Sequence, residues 1–140
     1  FCRMGTLTAR PFGDSTDLLS RYAWTWLNSD DHAQPIARLW PTRLGLFDVL
    51  GNQWEWCHDG KPEGSDVNLA EYPRGTPAQP AWDRLSGAVT LGPNSQRYHR
   101  GGAYDYAPGW SRSGSRNYQR VAGGRHPYNG LRVVRTLVKD

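Results

Sequence analysis

Apolar residues in this chain come in short bursts, and the spacing of each burst predicts a small element. Gln53-Trp54-Glu55-Trp56-Cys57 alternates polar and aromatic, the period of two expected of a strand. Gly130-Leu131-Arg132-Val133-Val134-Arg135-Thr136 alternates in the same way and is the clearest strand in the pattern. Tyr98-His99-Arg100-Gly101-Gly102-Ala103-Tyr104 reads as a strand followed by a close backbone approach at the glycine pair. Asp17 to Tyr22 predicts one helical turn, and Leu44 to Leu50 another, ended by Gly51-Asn52. Tyr22 to Leu27 fits an extended segment or a short helix. Pro11-Phe12-Gly13-Asp14 is a turn signal, and Asn28-Ser29-Asp30-Asp31 a polar loop. Residues 58–96 form a long, proline-punctuated excursion, and residues 105–129 a Ser, Gly, Arg and Tyr-rich loop. There is no regular helix–strand alternation, so a parallel α/β sheet is not expected.

Composition narrows the class. The chain has 140 residues, one domain's worth, with 16 Gly, 10 Pro, 7 Trp and 7 Tyr. The glycine and proline alone would point toward low complexity. The aromatic content argues for a packed, loop-rich globular domain instead, because large rings bury apolar area that disordered chains lack. No apolar run approaches the roughly 20 residues of a membrane span, and no signal-peptide pattern opens the chain. Membrane contact is therefore not expected, and the compartment is left open.

Charge is divided along the chain. Residues 1–96 hold 8 Lys or Arg against 11 Asp or Glu; residues 97–135 hold 8 Arg against Asp105 alone. Arginine, with its planar fork, suits bidentate pairing and stacking. Pairing with the acidic first part accounts for this better than nucleic-acid binding, since clustered lysine is missing. Cys2 and Cys57 are the only cysteines, enough for one disulfide or none and too few for a zinc site. The four histidines show no metal-ligand spacing. Residue 1 is Phe, and Phe1 to Thr6 reads as a helix end closed by Gly5, so the body of that helix is expected upstream.

Four segments occur in a specific order: Phe1 to Thr6, Gly45-Leu46-Phe47-Asp48-Val49-Leu50-Gly51-Asn52-Gln53-Trp54-Glu55-Trp56, Arg100-Gly101-Gly102-Ala103-Tyr104, and Gly130-Leu131-Arg132-Val133-Val134. Together they resemble the formylglycine-generating enzyme, or sulfatase-modifying factor, family. The resemblance covers residues 1–140 but matches only the C-terminal part of the family domain. It implies an α+β, C-type-lectin-like fold of short twisted antiparallel strands and much irregular loop. It also implies that the missing N-terminal part of the domain, or a fused signalling or enzyme domain, is a partner.

The resemblance implies chemistry as well. Family members hold calcium with oxygen ligands near the G-N-x-W-E-W block, which carries over to Asn52 and Glu55; oxygen donors suit Ca²⁺. The plainer reading is that Asn52 caps a turn and Glu55 pairs with an arginine. The family's catalytic pair of cysteines binds Cu(I) as thiolates, soft ligands for a soft ion. The positions that align with that pair are Tyr106 and Ser111, and no cysteine follows Cys57. No copper is therefore expected, and the chain reads as a non-catalytic relative. Its Tyr, Ser, Gly, Asn and Arg-rich loops at 104–129 have the composition of binding loops held by a rigid scaffold. Tyr104, Asp105, Tyr106, Trp110, Ser111, Arg112, Ser113, Tyr118, His126 and Tyr128 are expected to form one exposed face for a protein or other macromolecular ligand. Such a face belongs to a sensor or regulatory domain, or to a retroelement-diversified variable protein. Arg116 and Arg132 are expected to be architectural. The alternative is the substrate-binding part of an oxidoreductase, of formylglycine-generating or sulfoxide-synthase type, whose metal ligands lie on another segment.

Overall fold

The computed structural model describes residues 5–61, 96–120 and 126–133. Within them lie one short helix, α1 (Leu19–Tyr22), and four strands: β1 (Trp54–Lys61), β2 (Gln96–Arg100), β3 (Asn117–Arg120) and β4 (Asn129–Gly130). A 3-10 turn spans Pro108–Trp110. The strands form one sheet in the order β3-β2-β1-β4. β1 and β2 run antiparallel, pairing Glu55 with Arg100 and Trp56 with His99, with an irregularity between Trp56 and Gly60. β2 and β3 are also antiparallel, with Tyr98 opposite Tyr118. β4 pairs parallel with β1, so the sheet is mixed rather than purely antiparallel.

The alternating Trp54-Glu55-Trp56 segment forms a strand as its period predicts, and Trp54 is completely buried. The helical turn at Leu19–Tyr22 also forms. Leu19 and Ala23 pack with Val49 and Leu50 in a small core, which Phe12 and Leu46 flank. Burial of each of Leu19, Val49 and Leu50 is worth about 1.5–3 kcal/mol. Beside it Phe12 stacks on Tyr22 at 4.5 Å, and the Arg21 guanidinium lies over the Trp40 ring.

Other expectations need correction. No helix forms between Leu44 and Leu50. Gly45, Asp48, Gly51 and Asn52 all have positive φ, and four left-handed residues in so short a stretch cannot sustain a right-handed helix. The strand expected from Gly130 to Thr136 is limited to Asn129–Gly130, while Leu131 and Val133 are exposed and residues 134–136 lie outside the described region. The loop expected at 105–129 contains β3. Of the 58–96 excursion, residues 58–61 and 96 belong to β1 and β2, and 62–95 lie outside the described residues. Gly5 has the left-handed φ of a helix terminator, but the helix it would end falls on undescribed residues. Among the described residues, no helix is long and apolar enough to cross a membrane.

The Gly51-Asn52-Gln53-Trp54 segment is the junction of the fold. Gly51 N–H donates to the Gly101 carbonyl, Asn52 N–H to Trp24, and Trp54 N–H to Tyr128, while the Asn52 carbonyl accepts from Tyr104 N–H. Gly51 sits so tightly against the Trp24 backbone that a Cβ there would lie 2.2 Å from the Trp24 carbonyl oxygen. One turn thus ties together three distant loops, around Trp24, Gly101–Tyr104 and Tyr128, and the last two carry much of the candidate site.

Candidate functional site: an aromatic platform

The platform is built from the buried strand outward. The Trp54 ring is its floor. Tyr106 meets it edge to face at 5.2 Å and Trp110 at 6.1 Å. Tyr106 and Trp110 stand 6.0 Å apart at 81° to each other, and Tyr128 lies 5.9 Å from Tyr106. His126 stacks on Tyr128 at 4.9 Å. These edge-to-face arrangements are the ones that ring quadrupoles favour. Burial falls from the floor to the rim: Trp54 is enclosed, Tyr106 and Tyr128 are half-buried, and Trp110 and His126 are exposed.

Hydrogen bonds hold each ring's backbone. Trp26 N–H donates to the Tyr106 carbonyl at 3.3 Å, and Tyr106 N–H to Ala103. Asn117 on β3 approaches the Tyr106 hydroxyl with its amide at 3.5 Å. The 3-10 turn under Trp110 is fastened by Arg10, a buried arginine. Its Nε donates to the Ser111 carbonyl at 3.0 Å, Nη2 to Pro108 and Nη1 to Asp14. Burial holds the Arg10 pKa below its usual value, a shift that Asp14 opposes.

Acids lie beside the rings. Burial raises the Asp105 carboxyl above its ordinary pKa, and the Asp31 carboxylate pushes it further, against a lowering bond from its own backbone N–H. Tyr104 is raised by burial and then by Asp105 and Asp31, and Tyr128 by burial and then by Tyr106, Asp105 and Tyr104. The Asp105 Oδ1 is enclosed and has no hydrogen-bond partner.

The expected ten-residue face is thus only partly assembled. Tyr106, Trp110, His126 and Tyr128 come together, with Asp105 beside them. Tyr104 is 7% exposed and Ser111 0%, so neither belongs to an exposed face. The Tyr104 backbone is held between the Asn52 carbonyl and the Ser29 hydroxyl. Ser111 is pressed against Gly102. The Ser113 hydroxyl is enclosed, and its N–H donates to the Ala9 carbonyl. Arg112 is exposed, but its Nε donates to the Ser115 hydroxyl. Tyr118 lies on β3, and its side chain falls outside what the structure describes.

The two residues expected to hold calcium are committed to protein partners. The Asn52 side chain accepts from Gln34 N–H at 2.9 Å and donates to the Gln34 carbonyl at 3.0 Å. Glu55 accepts from Arg132 Nε at 2.7 Å, and Arg132 Nη2 also donates to the Phe47 and Asp48 carbonyls. A carboxylate already neutralised by a guanidinium, with an amide turned onto backbone, does not fit a hard-cation site. Among the described residues, no three His, Cys, Asp or Glu gather as a metal-binding group. Arg132 is architectural, as expected.

Sequence reasoning missed Arg10 and Asp31. Arg10 is a lone cation in a turn-rich stretch and carries no pattern. Asp31 follows Asp30, and both have positive φ, yet two acids in a polar loop look like ordinary turn residues.

Residues 8–137 match the model of the sulfatase-modifying factor enzyme 1-like domain. Among solved structures, the Treponema denticola variable protein 1 is similar, with a TM-score of 0.67 and 24% sequence identity. The similarity covers 93% of this chain and 41% of that one, so this chain spans less than half the length of that neighbour. A comparison with curated proteins returns no match. The variable protein shares the fold at an identity too low to carry function, whereas the family match extends over nearly all of the chain: it belongs to the sulfatase-modifying factor enzyme 1-like domain family.

Proposed function

We propose that this domain is a non-catalytic binding module of a larger protein, which takes a protein ligand on the Tyr106, Trp110, His126 and Tyr128 platform. One observation carries this reading. At the two positions that the sequence resemblance matches to the family's copper-binding cysteines stand Tyr106, a wall of the platform, and Ser111, enclosed behind it. A phenol and a buried hydroxyl cannot replace two thiolates as Cu(I) ligands. The same positions supply contact area and support instead. Half-exposed Tyr and Trp rings offer large rigid surface at low entropic cost, as in other binding loops.

The test uses the full-length protein. Photo-crosslinking from the platform rim should capture a protein ligand, and Trp110→Ala should abolish capture while lowering the melting temperature less than Tyr106→Ala does. Stoichiometric Cu(I) binding with oxygen consumption dependent on a cysteine peptide would overturn the proposal.

A further inference from the structure

The platform has an electrical character that its arginine-rich sequence conceals. Tyr106 and Trp110 stand nearly perpendicular, forming a corner, and Tyr128 closes a third side. Trp110 is 43% exposed and Tyr106 and Tyr128 are half-buried, so these rings keep part of their negative π-surface open to solvent. Asp105 adjoins this corner in sequence and in space, with Oδ1 enclosed and without a donor. The charges that act most strongly on Asp105, Tyr104 and Tyr128 belong to acids and phenols, not to arginines. Two nearby arginines are engaged elsewhere, Arg112 with the Ser115 hydroxyl and Arg10 with the Ser111 and Pro108 carbonyls, while His126 lies flat on Tyr128 at the rim.

We infer that this corner receives a cationic nitrogen group, the ammonium of a lysine or the guanidinium of an arginine on a protein ligand. The inference rests on the binding-module reading and names the chemistry of its ligand. A cation within about 6 Å of an aromatic ring is attracted to its face. The partly desolvated Asp105 carboxylate beside the rings adds Coulomb attraction, which is stronger there than in bulk water. An anionic ligand would meet two carboxylates and the negative faces of the rings.

The experiment is a titration of the whole chain with N-acetyl-arginine amide and N-acetyl-lysine amide, followed by the indole N–H signal of Trp110. N-acetyl-citrulline amide and N-acetyl-glutamate amide serve as neutral and acidic probes. At least one cationic probe should move the Trp110 signal, and the other two should not. Asp105→Asn should weaken the interaction several-fold, the scale of one nearby charge at about 1 kcal/mol, with the melting temperature retained. Should that variant unfold, Trp110→Leu replaces it, and loss of the cation response is again expected. Equal binding of the citrulline probe, no response to either cation, or full binding by Asp105→Asn overturns the inference. A response to the glutamate probe alone overturns it while leaving the binding module standing; copper-dependent oxidation removes both.

Discussion

Gly102 and Ser111 touch through their backbones: a Cβ built on Gly102 would lie 2.8 Å from the Ser111 Oγ and 3.2 Å from its Cα. The φ of Gly102 is +87°, so a side chain there is strained as well as crowded. Gly102→Ala should lower stability by about 2–4 kcal/mol, combining overpacking with backbone strain. Ser111→Ala alone should be neutral or slightly stabilising, because it removes a buried hydroxyl that has no partner. In the double variant part of the loss should return, since only the Oγ clash is relieved; a thermodynamic cycle from urea melts measures the coupling. Strict additivity would mean that the new methyl group is not blocked by the Ser111 Oγ.

Trp54 is the buried floor of the platform and Tyr106 its half-buried wall. Trp54→Ala should lower stability by about 3–5 kcal/mol, the usual figure for a buried aromatic. Tyr106 leans on three other rings, so Tyr106→Ala carries a loss of its own, about 0.5–1.5 kcal/mol for its pairing with Trp54 beyond area burial. Trp110, 43% exposed, gives the cleaner test of binding. Denaturation of the three variants should rank them Trp54, Tyr106, Trp110.

Glu55 and Arg132 make an ion pair whose two members have unequal duties. Both are partly exposed, so the pair itself is worth no more than about 1 kcal/mol. Arg132 also satisfies the Phe47 and Asp48 carbonyls. Arg132→Met should therefore lose about 1–3 kcal/mol, and Glu55→Gln less than about 1 kcal/mol. Equal losses in chemical denaturation would show that the carbonyl bonds contribute nothing.

His99 should make stability depend on pH. Its ring lies edge-on to Trp56 at 3.9 Å, 1% exposed, and neither nitrogen has a partner. Burial, helped by the positive charge of His126, lowers its pKa from 6.5 to about 4. Between those values the unfolded chain binds the proton and the folded chain does not. Stability from this group is thus complete above pH 6.5 and lost as pH falls toward 4. His99→Met should flatten that slope in urea midpoints taken across the window; an unchanged slope would place its origin in another group.

How much of this was legible depended on whether a residue acts through local pattern or distant partners. The Trp54–Cys57 strand and the Gly51-Asn52 turn could be read because period and turn chemistry are local. Leu131 and Val133 alternate as a strand does, but Arg132 is drawn to the Phe47 and Asp48 carbonyls, and the extended segment leaves the sheet after Gly130. The helix expected before Gly51 fails on the left-handed Asp48, whose carboxylate accepts the Ala37 N–H at 2.8 Å, a contact no local pattern announces. Tyr104 and Tyr106 have the same composition signal and opposite fates, because the Asn52 carbonyl and the Ser29 hydroxyl hold the first inside.

Arg10 and Ser111, joined by one hydrogen bond, are separated by 101 positions. Loop-closure entropy grows with that separation, and contacts of this span form late in folding. During synthesis the 3-10 turn must leave the ribosome before its clamp can engage an arginine made a hundred residues earlier. The aromatic corner can therefore close only after the whole stretch from Arg10 to Tyr128 has been made, and a chain cut short before Ser111 lacks both the carbonyl that Arg10 clamps and the Tyr128 wall.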